Sequence, residues 1–280
     1  STVCAVILTD ALGKENVFGV SMPSKITSSE SKADAEILAK NLGIGFSTIP
    51  IADLIKPFNE TVEPLIEDTS KHFENAKLEK SYAQHNIQAR TRATILFGLS
   101  NEFASSIPIA TSDKSEFYMG YATINGDMSG GFAPISDVTK TKLFALARWM
   151  NENREEKNAI PESIILKKPG AELAINPKTG KPLQAEEALM PYEFLDEIIW
   201  RIEEKNQTYS QMLKEKFFYE EKNNISKELK TEWLDKFFNR MSKAHYKGYI
   251  MPPSVIVDSH SINKAEYSQP ITTCQINYKY

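Results

Sequence analysis

The sequence lacks the residue patterns of several common protein classes. Among its 280 residues it has two cysteines, Cys4 and Cys274, which lie at opposite ends of the chain. They give no zinc-ligand spacing and are typical of a reducing compartment. The four histidines form no HExxH or similar metal-binding pattern.

Long hydrophobic runs and excess positive charge are also missing. No apolar run approaches the length of a membrane span. The formal net charge of −4 gives no electrostatic reason to expect nucleic acid as a partner. The hydrophobic content of 41% is sufficient for a folded domain with a substantial core. We therefore expect a cytoplasmic protein that acts on small molecules and has neither a membrane nor a nucleic acid as a partner.

The stretch Thr111–Gly131, with the sequence TSDKSEFYMGYATINGDMSGG, is rich in small, polar and charged residues. It follows a short apolar run at 107–110, which predicts a buried strand. Ligand sites of open α/β sheets lie beyond the carboxyl ends of their strands. Glu116 in this loop is a candidate Mg²⁺ ligand, although an exposed loop glutamate is the commoner case. Lys140 then follows in the first turn of a predicted helix, where it could meet a buried anion or extend to water.

The order of predicted elements indicates an α/β fold, with a doubly wound, mostly parallel sheet covered by helices on both faces. Helices and strands alternate as far as residue 151: helix 1–12, strand 17–22, helix 31–43, strand 46–51, helix 86–105, strand 107–110 and helix 138–151. From Glu186 onward the pattern is helical, with candidates at 186–203, 207–222 and 226–245. We divide the chain into an α/β core at 1–160 and a mostly helical part at 161–280.

Further candidates lie on the predicted helix at 86–105 and near the end of the chain. Asn86 and Arg90 are four residues apart and therefore share a helix face. Arg90 could clamp a phosphate, although a surface salt bridge explains it equally well. Tyr82 could stack on a flat ring or pack in a core. Lys247 has the same two interpretations as Lys140, and Asp127 is a weak candidate for assisting proton loss.

Seven blocks of the sequence, in this order, resemble NAD synthetases of the N-type ATP-pyrophosphatase family. The resemblance covers nearly the whole chain from Ser1 to Pro253. The blocks read DALGKENVFGVSMPS, SESKADAEILAKNLGI, NIQARTR, TSDKSEFYMGYATINGDMSGG, DVTKTKLFALARWMN, KKPGAEL and YKGYIMPP. The resemblance implies an adenine-nucleotide alpha-hydrolase-like, Rossmann-like core and a C–N ligase. Such a ligase adenylates deamido-NAD with ATP and Mg²⁺, releases pyrophosphate, and then forms NAD and AMP with ammonia.

The resemblance also assigns roles to residues. It implies that Glu116 is the metal ligand and, with Lys140, a catalytic residue. The implied ATP contacts are Thr111, Ser1 and Arg90. The implied deamido-NAD contacts are Asn86, Glu116, Tyr121, Ala122, Thr123, Ile124, Lys140, Lys247 and Tyr82. Two lysines, an arginine and a metal-bound glutamate suit this chemistry, because two anionic groups must be brought together.

One motif of the family is absent. Its SGGxDS pyrophosphate loop would precede the first helix, and only its last serine is present, as Ser1. We therefore expect that the chain begins partway through its fold and that, as written, it does not cradle pyrophosphate. The helical region after residue 184 resembles the glutamine-dependent type. That type carries a nitrilase-type glutaminase domain on the same chain and forms homo-oligomers.

Two other functions compete with NAD synthesis. One is an inactive nucleotide-binding or assembly module, which the missing loop would explain. The other is a different ATP-pyrophosphatase such as GMP synthetase. The loop with Lys114, Ser115 and Glu116 followed by Tyr121, together with the YKGYIMPP block, argues against GMP synthetase.

Overall fold

The computed structural model describes residues 1–73, 80–155, 157–168, 170 and 185–261. For residues 80–82, 187 and 188 only the backbone is described, so the predicted role of the Tyr82 side chain lies outside the described residues. Most of the KKPGAEL block and Cys274 lie outside them as well. Within the described residues, no helix combines the length and apolar character needed to cross a bilayer.

The first part of the chain alternates between helices and short strands. Its elements are α1 (Thr2–Leu12), β1 (Phe18–Ser21), α2 (Ser29–Leu42), β2 (Gly45–Thr48), α3 (Ala52–His72), α4 (Lys80–Glu102), α5 (Lys114–Tyr118), α6 (Lys140–Asn153) and α7 (Glu162–Leu166). Helix α2 begins after Ser28, whose side chain accepts a hydrogen bond from the Ser31 amide. It ends at Gly43, which adopts the left-handed conformation typical of a helix C-terminus.

The sheet in the described residues consists of two parallel strands. β1 pairs with β2 in the register Phe18 to Gly45 through Ser21 to Thr48, and α2 connects them. This parallel βαβ unit agrees with the α/β prediction. The doubly wound sheet is not confirmed, because the described residues show no further paired strands.

The predicted third strand at 107–110 is reduced to an isolated parallel bridge. Ile109 pairs with Phe132, and the amide of Ala110 donates to the Phe132 carbonyl over 2.9 Å. Pro108 has no amide hydrogen and so cannot extend a ladder in both directions. The prediction of a regular strand here was therefore wrong, although this segment still leads into the polar loop.

From residue 185 to residue 250 the chain is mostly helical, as predicted from residue 186 onward, but it is divided into shorter helices. They are α8 (Ala185–Ala188), α9 (Tyr192–Glu203), α10 (Tyr209–Lys214), α11 (Phe218–Asn223) and α12 (Lys227–Ala244), followed by a 3₁₀ turn at His245–Ile250. Capping side chains separate them. Thr208 starts α10 with a capping box to Gln211, and Ser226 caps α12.

Two clusters of buried side chains form the core of the described residues. The first joins α1, α2, α6 and α7 and includes Val6, Leu42 and Ile160. The second joins α9 to α12 with the segment 117–128 and includes Phe194 and Phe237. The loop that follows Glu116 is therefore packed against the helical part, while α6 packs its apolar face against α1. The polar stretch identified in the sequence lies where the two clusters meet.

Candidate active site

The site begins with α5, a helix of five residues whose N-terminus is fixed by a capping box. The Asp113 carboxylate accepts a hydrogen bond from the Glu116 amide over 3.0 Å. In return, the Asp113 amide donates to the Glu116 carboxylate over 3.3 Å. This reciprocal arrangement satisfies two helix-end amides. It also places two carboxylates side by side, with Asp113 enclosed and 23% of the Glu116 side chain exposed.

Lys140 joins these two carboxylates. It is the first residue of α6, and its amide donates to the Ser115 hydroxyl over 2.9 Å. Its ammonium group lies 2.7 Å from Glu116 Oε1 and also forms an ion pair with Asp113. The same ammonium group lies 5.4 Å from the centre of the Tyr192 ring, which is within range of a cation–π contact. The predicted pair of Glu116 and Lys140 is thus in direct contact.

The charges in this group perturb one another. Burial, followed by the neighbouring charge of Glu116, raises the pKa of Asp113 to about 7, although Lys140 partly opposes this. Burial alone would lower the pKa of Lys140, but Glu116 and Asp113 together raise it above its usual range. One cation therefore serves two carboxylates in a nearly enclosed space. The pKa values of such a group change when a further charge binds nearby.

Asp196 anchors the elements that carry the site. Its carboxylate accepts hydrogen bonds from the Ser115 hydroxyl on α5 and from both the amide and the hydroxyl of Thr141 on α6, the last two over 2.8 and 2.6 Å. Asp196 itself lies on α9 in the helical part. Burial raises its pKa even though these hydrogen bonds lower it. The relative position of Glu116 and Lys140 therefore depends on a side chain far away in the sequence.

Lys247 holds the loop that follows α5. Its ammonium group donates to the carbonyls of Gly120 over 2.8 Å and Ala122 over 2.7 Å. Gly120 has a φ of +56°, and a Cβ there would lie 2.0 Å from the Ala244 Cβ. Only glycine fits this approach. Burial, with Arg240 and Arg90 nearby, lowers the pKa of Lys247, although Asp127 opposes the shift.

Two arginines bind carbonyls of the same loop. Arg240 on α12 donates to the Met119 carbonyl over 3.2 Å, and its guanidinium lies 5.7 Å from the centre of the Tyr121 ring. Arg90 on α4 donates to the Ile124 carbonyl over 3.2 Å. Within the described part of the chain, neither arginine nor Lys247 forms a salt bridge with a carboxylate. Three cations thus converge on one loop with carbonyls as their partners.

Asn86 is the other predicted residue that reaches this loop. Its side-chain oxygen accepts a hydrogen bond from the Thr123 hydroxyl over 2.9 Å, and the Thr123 amide donates to Asp127 over 2.7 Å. Asn86 and Arg90 lie one turn apart on α4 and contact neighbouring loop residues. The predicted shared face is therefore directed at residues 123 and 124. Asp127 is exposed and close to this contact.

Two of the predicted ATP contacts are Thr111 and Ser1. Thr111 is half-buried and immediately precedes the turn with Ser112 and Asp113. Ser1 is exposed at the N-terminus of α1, and its carbonyl accepts a hydrogen bond from the Ala5 amide over 2.9 Å. Burial raises the pKa of Cys4 in the first turn of α1, and the charge of Asp113 adds to that increase. The charge of Asp113 therefore acts on a residue in the first turn of α1.

Four residues of the site were missed at the sequence level: Asp113, Tyr192, Asp196 and Arg240. Asp113 could have been found, because an aspartate three residues before a glutamate is a capping-box pattern. Asp196 and Glu197 interrupt the apolar residues of the segment 194–199, and acidic residues in such a setting are a signal for buried polar groups. Nothing in the local pattern distinguishes Tyr192 or Arg240 from other aromatic or charged helix residues.

The raised pKa of Asp113 predicts how pH affects stability. Between its ordinary value of 3.8 and about 7, the folded protein retains a proton at Asp113 that the unfolded chain has lost. Because only the unfolded chain releases this proton, the unfolding free energy falls as the pH rises through this range and levels off above about pH 7. Because asparagine is also a good cap, we expect D113N to retain more of its unfolding free energy than the wild type from about pH 4 to about pH 7.

Urea unfolding at the two pH values measures this difference. D68N is the control, because Asp68 forms an exposed pair with Lys71 over 3.1 Å. It should follow the wild-type pH dependence, since exposed pairs contribute little. An identical pH dependence in D113N and the wild type would show that Asp113 ionises normally.

Comparison with known proteins identifies the family. The NAD synthase family model matches residues 1–248. The glutamine-dependent NAD(+) synthetase of Thermotoga maritima is 47% identical over 199 residues, which cover 71% of this chain and 32% of that protein. The enzyme of the same name from Aquifex aeolicus is 39% identical over 274 residues, which cover 97% of this chain and 42% of that protein.

The structural comparison gives the same family. A crystal structure of a glutamine-dependent NAD(+) synthetase from Cytophaga hutchinsonii matches with a TM-score of 0.70 and 26% identity, and covers 91% of this chain and 38% of that one. The chain thus spans well under half of the length of these relatives. None of these matches favours the GMP synthetase alternative. The family match over most of the chain and the two sequence relatives show that this chain belongs to the NAD synthase family.

Proposed function

We propose that the chain catalyses the ATP-dependent amidation of deamido-NAD to NAD. In this reaction the nicotinate carboxylate attacks the α-phosphate of ATP, pyrophosphate leaves, and ammonia displaces AMP from the acyl-adenylate. One observation carries the proposal. The Glu116–Lys140 pair lies at the start of a loop on which Arg90, Arg240 and Lys247 converge without a carboxylate partner in the described residues.

This distribution of charge suits two negatively charged substrates. A carboxylate must approach a phosphate, and at a separation of about 4 Å their repulsion is several kcal/mol in a partly buried site. Cations fixed before the reaction offset that repulsion without reorganising. Lys247 and the two arginines are held by loop carbonyls, which leave their positive charge uncompensated. We propose that Lys247 and Arg240 bind the dinucleotide together with Asn86, Tyr121, Ala122, Thr123 and Ile124.

Lys140 is proposed as the residue that neutralises charge at the reacting groups. The positive charge of its ammonium group is stabilised by Asp113 and Glu116. Because it lies close to Glu116 and is 15% exposed, it can serve both the enclosed carboxylates and a substrate anion. Thr111, Ser1 and Arg90 are proposed as ATP contacts. The effect of the Asp113 charge on the pKa of Cys4 supports a role for the Ser1 end of α1.

The side chains at this site fit Mg²⁺ in one specific way. Mg²⁺ is typically bound by one or two carboxylates together with substrate phosphate oxygens. Glu116 offers a partly exposed carboxylate, whereas Asp113 is enclosed and engaged in the cap. No group of three or more metal-ligating side chains occurs in the described residues, so a Mg²⁺ ion here would need ligands besides protein side chains. Bound with ATP, Mg²⁺ would spread the negative charge of the phosphates, with Glu116 as its protein ligand.

The names and lengths of the relatives support a proposal for the nitrogen source. Because the chain covers 32% and 42% of two relatives named glutamine-dependent NAD(+) synthetase, we propose that a glutaminase domain on the parent chain supplies ammonia. We also propose that the parent protein is a homo-oligomer.

For the fold, we propose that β1 and β2 belong to a larger doubly wound sheet. The TM-score of 0.70 to a synthetase of this type supports the larger sheet. We keep a boundary near residue 160 between the core and the helical part.

A direct assay tests the proposed reaction. We expect full-length protein supplied with deamido-NAD, ATP, Mg²⁺ and ammonium to form NAD, AMP and pyrophosphate in equal amounts. Release of AMP only with xanthosine monophosphate would favour a GMP synthetase. Absence of AMP with either substrate would favour a module without activity.

A further inference from the structure

A second charged cluster surrounds Lys114, on the opposite side of α5 from Glu116. Lys114 is completely buried, and its ammonium group lies 2.7 Å from Glu203 and 3.2 Å from Asp137. It also donates to the His260 carbonyl over 2.7 Å and lies 3.7 Å from Asp258. Burial alone would lower the pKa of Lys114, but the hydrogen bond and charge of Glu203, with Asp137, raise it. Because Lys114 is shielded from solvent, a contact with ATP or deamido-NAD is excluded in this conformation.

Two of these partners belong to residues 251–261, here named the strap. The strap meets the core where the Ala133 amide donates to the Pro253 carbonyl over 2.9 Å. Further along, the strap amides of Val257 and Asp258 donate to Asp137 over 2.8 and 3.0 Å. Lys114 compensates the charge of Asp137 and binds the strap directly through the His260 carbonyl. Lys114 is therefore a buried anchor of the strap, in addition to the Ala133–Pro253 hydrogen bond and the more exposed pair of Lys142 with Asp258.

The same ammonium group fixes α5. A helix of five residues is too short to be stable through its own hydrogen bonds. Lys114 and Tyr118 attach one side of it to Glu203, the tyrosine through a hydrogen bond of 2.9 Å. The neighbours of Lys114 in the sequence, Asp113 and Ser115, hold Lys140. Lys114 is thus linked, through its two neighbours in the chain, to the groups that hold Lys140 on the other side of α5.

We propose that Lys114 is a positioning residue that couples the strap to the Glu116–Lys140 pair. It orients α5 so that Glu116 and Lys140 meet the substrates, and it acts through Asp137 and His260 without touching a substrate. The part of this inference that concerns turnover rests on the proposed function. The coupling itself is a property of the folded chain and can be measured without turnover.

The experiment compares three variants of the full-length protein. K114M keeps the length of the side chain and removes its charge. D258N removes a strap carboxylate that contacts Lys114 and Lys142, and it leaves Asp137 and Glu203 paired with Lys114. K230M is the matched control, because Lys230 is also buried and pairs with Glu220 over 2.9 Å, but it belongs to α12. Hydrogen exchange is followed by mass spectrometry in peptides covering 113–120 and 254–261.

We expect exchange in both segments of K114M to accelerate by about tenfold or more, because they lose a shared anchor. In D258N, exchange in 254–261 should accelerate, with a smaller effect in 113–120. K230M should exchange normally in both segments. We expect turnover of folded K114M to fall by about tenfold to a hundredfold, with a higher Mg²⁺ requirement and a nearly unchanged KM for deamido-NAD.

A purely structural lysine would give a different result. Folded K114M with wild-type exchange in 113–120 and a wild-type Mg²⁺ response would overturn the proposal. If K114M does not fold, D258N decides, and unchanged exchange in 113–120 would then overturn the coupling. If the wild-type protein forms no NAD, the proposed function fails, while the exchange measurements still decide whether the strap and α5 are coupled.

Discussion

Replacing Glu116 with glutamine is expected to lower turnover by about a hundredfold or more, because a charged group that acts at the phosphates is lost from a preorganised site. The fold should survive. Glutamine has nearly the same shape, and its side-chain oxygen can still accept the hydrogen bond from the Asp113 amide that closes the capping box. Lys140 keeps its ion pair with Asp113. The expected signature is a low kcat, a higher Mg²⁺ requirement and a nearly unchanged Tm.

Glu220 provides an unusually close control for this experiment. It is the third residue of another short helix, α11, and it accepts a hydrogen bond from the Phe217 amide over 3.2 Å. It also pairs with Lys230 over 2.9 Å, so it has the same two structural roles as Glu116. E220Q should lose some stability and keep its turnover. Turnover of E116Q within about threefold of the wild type would remove Glu116 from the mechanism, since loss of a transition-state contact costs far more.

Much of the site could be predicted from sequence because its signals are local. A short apolar run followed by a polar, glycine-bearing loop located the turn around Glu116. The start of the following helix located Lys140, and helical spacing placed Asn86 and Arg90 on one face. In the structure these residues contact one another or one loop. Chain connectivity over one or two elements was enough for these residues, since α4, α5 and α6 are consecutive, whereas Arg240 and Lys247 reach the loop from the helical part.

The sheet was harder to predict because strand pairing depends on partners as well as on pattern. The apolar run at 107–110 has the composition of a strand, but Pro108 and the bridge between Ile109 and Phe132 limit its pairing. Residues that act across long separations were also missed. Asp196 contacts Ser115 across 81 positions in the sequence, and Lys114 contacts the His260 carbonyl across 146. Neither contact leaves a periodic signal in the chain.

The long helical stretches after residue 186 show a related limit. Periodicity identified helix in this region, but the stops were set by side chains that compete with the helix. Thr208 and Ser226 each start a new helix by accepting hydrogen bonds from its first turn. The predicted helix at 207–222 is consequently divided between α10 and α11. These breaks matter for the site, because α12 carries Arg240 and is followed by Lys247, and both side chains donate to carbonyls of the loop after α5.

Replacing Lys140 with methionine is expected to have the largest combined effect. Two adjacent carboxylates, Asp113 and Glu116, would lose their shared cation, and an uncompensated buried charge typically costs about 3 kcal/mol or more of unfolding free energy. Turnover should fall by about a thousandfold, because the group proposed to neutralise the reacting anions is gone. Urea unfolding and steady-state kinetics of the folded protein measure the two effects separately.

A second substitution separates catalysis from stability. In the double variant D113N/K140M one of the two carboxylates is neutral, so the repulsion that destabilises K140M is largely removed. We expect its unfolding free energy to recover toward the wild type while its turnover stays as low as that of K140M. K56M is the control, since Lys56 is 78% exposed and pairs with Glu60 within α3 over 3.8 Å. Recovery of turnover together with stability in the double variant would reduce Lys140 to a structural role. Low turnover with restored stability would instead mean that the charge of Lys140 acts on the substrates, because the double variant would then be as stably folded as the wild type.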